Sequence, residues 1–181
     1  PSHILPAPQK AKRSSPERRC YDERLAAVAN SYKPDFIFLL GWMRLLGRTF
    51  LENFPFRVIN LHPALPGAFP GTNAIERAFE AFNQGRIANT GVMLHFVPDE
   101  GIDSGPVLSV VHVPINKGDT LSILEERIHS VEHRELINLA RRLANNPRPK
   151  EIQSQEMKET RDQDKLGEKE SGHAYRIDIG I

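Results

Sequence analysis

Two polar residues, Asn60 and His62, follow a short apolar run and lead into a segment rich in proline and glycine. Because side chains alternate along a strand, residues two apart share one face if the strand extends that far. An amide and an imidazole at the carboxyl edge of a sheet lie where α/β proteins bind ligands. An ordinary strand exit that happens to contain a histidine explains the same pattern, so the two interpretations stay open at this point.

The segment 98–106 lies between two predicted strands and contains three acidic residues, Asp99, Glu100 and Asp103. If Asp103 approaches His62, its carboxylate would stabilise the imidazolium and raise the pKa of the ring. His62 would then be a better-populated general acid near neutral pH. A solvated acidic turn is the alternative.

The last predicted helix places two carboxylates among apolar residues. At about 100° per residue, its leucine, isoleucine and valine residues form one broad stripe, and Glu132 and Glu135 both fall within it. A carboxylate on a buried face is costly unless it is paired or bound. We therefore expect Glu132 to have a specific partner.

The same helix contains His129-Ser-Val-Glu132-His133, which matches the H-x-x-E-H pattern of inverted zincins. Two histidines four apart on a helix can bind zinc from one face. A catalytic zinc usually needs a third protein ligand, and the carboxylates further along the chain lie in a polar tail. We therefore predict that no metal is bound.

Alternating helical and strand-like patterns predict the elements that position these groups. We expect strands at 36–40, 57–61, 90–97 and 107–115, and helices at 21–32, 73–83 and 119–145, the last two capped by Asn73 and Asp119. Strands that alternate with helices indicate a parallel or mostly parallel sheet in an α/β fold. We predict one domain over residues 1–145 and a disordered tail at 146–181, where few apolar residues are available for a core.

Composition excludes several classes of protein. The 24 Lys and Arg residues nearly balance the 23 Asp and Glu residues, so no general attraction to nucleic acid or membrane is expected. A lone cysteine, Cys20, excludes an internal disulfide framework and fits a reducing compartment. Since no long apolar run or signal-peptide pattern is present, we expect a soluble, cytoplasmic protein.

Residues 21–143 resemble glycinamide ribonucleotide formyltransferase, a folate-dependent enzyme family of purine synthesis. The resemblance rests on positions 41–46, 60–63, 69–71, 90–97 and 103–105, together with Arg127, Glu132 and His133. Methionyl-tRNA formyltransferase and formyltetrahydrofolate hydrolase share the Asn-x-His and Asp parts. The stretch 61–69 and the Glu132–His133 pair favour glycinamide ribonucleotide formyltransferase over these two enzymes.

The resemblance implies a three-layer α/β fold of the Rossmann-like formyltransferase type and an activity. That activity is transfer of a formyl group from 10-formyltetrahydrofolate to the amine of glycinamide ribonucleotide. Hydrolysis of the same cosubstrate, or folate binding without catalysis, are the alternatives. The implied catalytic residues are Asn60, His62 and Asp103.

The resemblance also implies two sets of binding residues and no metal. The folate-binding set is Arg18, Met43, Arg44, Leu45, Leu46, Asn60, Val97, Pro98, Asp99 and Glu100. The ribonucleotide-binding set is Pro63, His129 and Glu132.

The sequence departs from the family pattern at its amino-terminal end. The family's first strands and the glycine-rich loop that binds the ribonucleotide phosphate have no counterpart here, and residues 1–20 hold no glycine and only a scattered basic run. A fragment, a truncated gene product and a degenerate homologue all fit this departure. We expect the 181-residue chain by itself to bind folate analogues weakly and glycinamide ribonucleotide poorly.

Overall fold

In the computed structural model, which describes residues 4–8 and 15–145, four strands form one sheet flanked by four helices. The elements are α1 Pro16–Ser31, β1 Ile37–Leu39, α2 Arg48–Leu51, β2 Val58–His62, α3 Ala74–Asn83, β3 Asn89–Phe96, β4 Val107–Pro114 and α4 Leu121–Asn145. The predicted tail at 146–181 lies outside the described residues.

Side-chain alternation along β2 divides the core into layers. Val58 packs with residues of α1 and α2, including Ala26 and Phe50. Its neighbour Ile59 packs on the opposite face with Leu139 of α4. Helices therefore cover both faces of the sheet, and the predicted three-layer α/β architecture is confirmed.

The sheet is mixed. β1 and β2 are parallel, whereas β2–β3 and β3–β4 are antiparallel. The expected predominance of parallel pairing therefore does not hold among the described strands. The connection from β3 to β4 is too short for a parallel crossover, which needs a dozen or more residues. Cross-strand pairing places Asn60 of β2 opposite His95 of β3.

The start of α4 differs from the prediction that Asp119 caps it. The Thr120 hydroxyl accepts the Ile123 amide at 3.3 Å and serves as the cap. Asp119 instead accepts the Asn116 amide at 2.7 Å and two guanidinium hydrogen bonds from Arg127 at 2.6 and 2.9 Å. These hydrogen bonds lower the pKa of Asp119 to about 2. Asp119 therefore fixes the loop that leads into the helix.

Within residues 4–8 and 15–145, no helix is both long and apolar enough to cross a membrane.

Candidate active site

The Asp103 carboxylate lies at the centre of a polar cluster at the end of β2. Its Oδ1 accepts a hydrogen bond from Asn60 Nδ2 at 3.0 Å and lies 3.4 Å from His95 Nε2. Its Oδ2 accepts the Gly71 amide at 2.8 Å and lies 3.3 Å from His62 Nδ1. The predicted catalytic residues therefore meet around one carboxylate.

Two features of the chain bring these groups together. Asn60 and His62 lie in one strand, β2, and share a face as predicted. The loop 97–106 then crosses the end of β3 so closely that any side chain at Gly105 would collide with the carbonyl oxygen of Phe96. Asp103 has φ 51°, a left-handed conformation that aspartate adopts more readily than most residues. This loop geometry carries the carboxylate to the polar face of β2.

His62 is 4% exposed, and burial is the largest influence on the pKa of its ring. Burial lowers the pKa of His62, and the Asp103 carboxylate, which raises it, does not compensate fully. The expected contact between the two residues is therefore confirmed. The expected net rise in the pKa is wrong, because a buried imidazolium loses more hydration than one partly shared carboxylate restores.

The carboxylate of Asp103 remains ionised in this setting. Burial raises its pKa, but the neighbouring His95 ring, the hydrogen bond from the Gly71 amide and the charge of His62 outweigh that effect and hold the pKa below its usual value. Asp103 is thus a negatively charged acceptor, with donors on both of its oxygens, throughout the neutral range.

His95 belongs to the cluster although the sequence analysis did not assign it a role. Its Nδ1 donates to the carbonyl of Phe96 at 2.8 Å, which leaves Nε2 facing Asp103 and, at 3.3 Å, Asn60 Nδ2. The available signal was a polar residue inside the apolar run 90–97. The cross-strand pairing that sets it beside Asn60 is visible only in the fold.

A family model described as formyl transferase matches residues 3–140. This chain belongs to the formyl transferase family. The predicted family is therefore confirmed over most of the chain.

Several relatives of this formyl transferase are named phosphoribosylglycinamide formyltransferase. A phosphoribosylglycinamide formyltransferase of Dictyostelium discoideum is 44% identical over 126 residues, covering 66% of this chain and 61% of the relative. The phosphoribosylglycinamide formyltransferase of Schizosaccharomyces pombe is 45% identical over 119 residues, covering 64% of this chain and 57% of the relative. The crystal structure of the Streptococcus pneumoniae protein of the same name is 32% identical, with a TM-score of 0.66, and the match covers 72% of this chain and 70% of that one. The chain spans about three fifths of the length of the curated relatives it matches.

The predicted folate-binding segments converge on the α1–α2 side of the formyl transferase fold. Leu46 is a core residue, 4% exposed, and Val97 packs against the same cluster. Met43 is 79% exposed. The Glu100 side chain accepts a hydrogen bond from the amide of Arg48, the first residue of α2, at 3.1 Å. This hydrogen bond holds the loop 97–106 against the α1–α2 side. The loop 97–106 therefore makes a defined contact with α2, and the alternative of a fully solvated acidic turn does not hold.

Other residues predicted to bind folate are exposed or form hydrogen bonds within the protein. Met43, Leu45, Pro98 and Asp99 are exposed. Asp99 accepts the Gly101 amide at 2.7 Å within the acidic loop. Arg44 Nη1 donates to the carbonyl of Pro8 at 3.5 Å.

Arg18 has an acidic partner that the sequence analysis missed. Its Nε lies 3.3 Å from Asp22 Oδ1, and its guanidinium lies over the Tyr21 ring. Asp22 is 1% exposed, and burial raises its pKa despite the neighbouring Arg18. The four-residue spacing of Arg18 and Asp22 on one helix was the signal available in the sequence.

Of the predicted ribonucleotide-binding residues, only Pro63 adjoins the catalytic cluster in the chain. His129 and Glu132 pair with each other on α4 at 4.0 Å, with 65% and 17% of their side chains exposed. Burial raises the pKa of Glu132, and His129 lowers it only in part. The neighbouring Glu135 has structural partners, including the hydroxyl of Ser109 at 3.3 Å. Neighbouring polar groups therefore compensate the buried charge of Glu132 less well than that of Glu135.

The two histidines of the H-x-x-E-H pattern are exposed on α4. His129 and His133 line an open concavity of about 640 Å³ together with Ser122, Glu125, Glu126 and Ser130. Across the part of the chain that the structure describes, no three His, Cys, Asp or Glu side chains are grouped as a metal site.

Replacing Glu132 by Gln is expected to stabilise the chain. Because the folded-state pKa lies above 4.5, the carboxylate contributes stability that is complete below that pH and is lost as pH rises through the folded value. At pH 7 the variant should therefore melt a few degrees higher than the wild type, each kcal/mol being worth about 2–4 °C at this size. The difference should shrink at pH 4. Glu126→Gln, an exposed change on the same helix, is the control; equal shifts in both variants would contradict the burial argument.

Proposed function

We propose that this chain transfers a formyl group from 10-formyltetrahydrofolate to the amine of glycinamide ribonucleotide, a step of de novo purine biosynthesis in the cytoplasm. The support is membership of the formyl transferase family and the names of its relatives. The observation that carries the proposal is the convergence of Asn60 and His62 on the Asp103 carboxylate.

The reaction requires stabilisation of an oxyanion and movement of protons. The amine nitrogen of the ribonucleotide bonds to the formyl carbon, and the carbonyl oxygen gains negative charge. The bond from that carbon to N10 of the folate then breaks. One proton leaves the amine nitrogen and one is added to N10. Neither step needs a metal or a redox partner.

Asn60 is suited to hydrogen bonding with the oxyanion. Its Nδ2 atom carries two N–H groups, donates to Asp103 Oδ1 at 3.0 Å and lies 3.3 Å from His95 Nε2, so a second N–H remains beyond the one given to Asp103. We assign this second N–H to the oxyanion. A donor placed in this way typically contributes about 10²–10³ in rate.

His62 supplies the mobile proton in this proposal. Burial lowers the pKa of His62 from its usual value, which disfavours the protonated ring in the free protein. Its Nε2 is buried and has no hydrogen-bond partner among the described residues. The negative charge that develops on the substrate would favour protonation of the ring. Asp103 holds Nδ1 and keeps Nε2 directed away from the carboxylate.

The two substrates would bind on different elements. We assign the reduced folate to the α1–α2 side, where Arg18, the segment 43–46 and the loop 97–100 lie together. We assign the ribonucleotide to Pro63, His129 and Glu132. An amine substrate suits Glu132, because a cationic ligand would compensate a carboxylate whose ionised form burial disfavours.

The proposal is tested by mixing the protein with 10-formyltetrahydrofolate, with and without glycinamide ribonucleotide. Enzyme in excess of folate makes slow turnover measurable. We expect tetrahydrofolate to form only when the ribonucleotide is present, with one formylated ribonucleotide for each tetrahydrofolate. Ribonucleotide-independent release of formate would identify a hydrolase. Folate binding in calorimetry without either product would identify a silent folate-binding protein.

A further inference from the structure

The backbone that follows β2 adopts an unfavourable conformation near the active site. Phe69, Gly71 and Asn73 have φ values of 50°, 81° and 55°, all in the left-handed region. Glycine adopts this region freely, but residues with a Cβ atom do so at a cost. Asn73 also occupies the N-cap position of α3 without a side-chain hydrogen bond, so the predicted cap is not formed. The segment 68–73 therefore depends on contacts from outside itself.

The Arg77 side chain supplies several of those contacts. The Nη2 atom of Arg77, on α3, donates to the carbonyls of Phe69 at 2.6 Å and Pro70 at 2.7 Å. Its Nε donates to the carbonyl of Asn73 at 3.3 Å, and its guanidinium lies 5.9 Å from the centre of the Phe69 ring. A planar guanidinium with several fixed donors suits convergent carbonyls better than a single ammonium does.

The segment held by Arg77 contacts the Asp103 carboxylate of the site. The Gly71 amide donates to Asp103 Oδ2 at 2.8 Å. The backbone of Ala68 and Phe69 raises the pKa of His62, in opposition to burial.

We propose that Arg77 is a positioning residue for formyl transfer, which clamps residues 68–71 against Asp103. The arginine acts through the loop and does not contact the reacting atoms. The inference rests on the proposed function for its catalytic consequence, whereas the clamp itself can be tested without turnover.

The test compares Arg77→Met with Arg77→Lys in the full chain. Methionine keeps an apolar side chain beside Phe69 and removes every donor, whereas lysine keeps a cation that can reach one or two of the carbonyls. Arg86→Met, an exposed arginine just beyond α3, is the matched control for loss of charge. Amide hydrogen exchange and the pH titration of the Gly71 amide shift, which follows Asp103, are measured by NMR.

In Arg77→Met we expect the Gly71 amide to exchange at least about tenfold faster, while amides inside α3, such as that of Ala81, change little. The Gly71 shift should no longer follow Asp103. We also expect kcat to fall about tenfold to a hundredfold with the folate KM nearly unchanged, because a small displacement of catalytic groups is costly. Arg77→Lys should recover part of each effect, and Arg86→Met should match the wild type.

Unchanged exchange at Gly71 in Arg77→Met would overturn the clamp. Uniformly faster exchange throughout α3, with kcat per folded molecule preserved, would show that Arg77 only stabilises the helix and would overturn the positioning role. If Arg77→Met does not fold, Arg77→Lys decides by the same two readouts. If the wild type forms no formylated ribonucleotide, the proposed function fails, and Gly71 exchange still decides the clamp.

Discussion

Replacing Asn60 or His62 by alanine is expected to lower turnover at least about a hundredfold, with little change in the affinity for a folate analogue. Both side chains act on charge and protons that appear only in the transition state, so their loss should reduce kcat and leave ground-state binding almost intact. Single-turnover rates and calorimetry with a non-reactive folate analogue measure the two quantities separately.

The structure supplies a control and a coupling test for these variants. His112→Ala removes an exposed histidine on β4 and should leave turnover unchanged. Because Asn60 donates directly to Asp103, the Asn60→Ala and Asp103→Asn changes should not be additive. Near-normal turnover in either Asn60→Ala or His62→Ala would exclude the proposed mechanism.

Local periodicity predicted the first part of the site. Asn60 and His62 were expected on one face because the side-chain repeat of a strand is two residues, and any strand through position 62 gives that result. The approach of Asp103 was only conditional in the sequence. It depends on a loop passing within contact of the Phe96 carbonyl at Gly105, which spacing cannot reveal.

Long-range pairing and burial explain what the sequence analysis missed. His95 joins the site through antiparallel pairing with Asn60, and strand order is not encoded in local patterns. The short connection between β3 and β4 could have predicted their antiparallel pairing, since it cannot hold a crossover. The alternation of β2, α3 and β3 suggested a parallel pair, but a helix between two strands does not fix their relative direction. The net fall in the pKa of His62 follows from burial, a tertiary property.

Asp103→Asn is expected to lower turnover roughly a hundredfold, within the range for loss of assistance to a general acid. Asparagine has nearly the same shape and also adopts left-handed backbone conformations, so the φ of 51° at this position should be retained. The amide cannot supply the negative charge that favours a protonated His62. The variant should therefore remain folded while the chemistry of the site changes.

The direction in which the pKa of His62 changes in Asp103→Asn tests this prediction. In the wild type, burial lowers the pKa of the ring and Asp103 raises it in part. Removing the carboxylate leaves burial unopposed by that charge, so the pKa should fall further and the protonated fraction at any pH near neutrality should decrease. NMR titration of the ring in both proteins measures the change.

Asp99→Asn, which alters an exposed acid in the same loop, should leave the titration unchanged. An identical His62 titration in Asp103→Asn and wild type would mean that the carboxylate does not control the histidine, and the proton-transfer role assigned to this pair would be withdrawn.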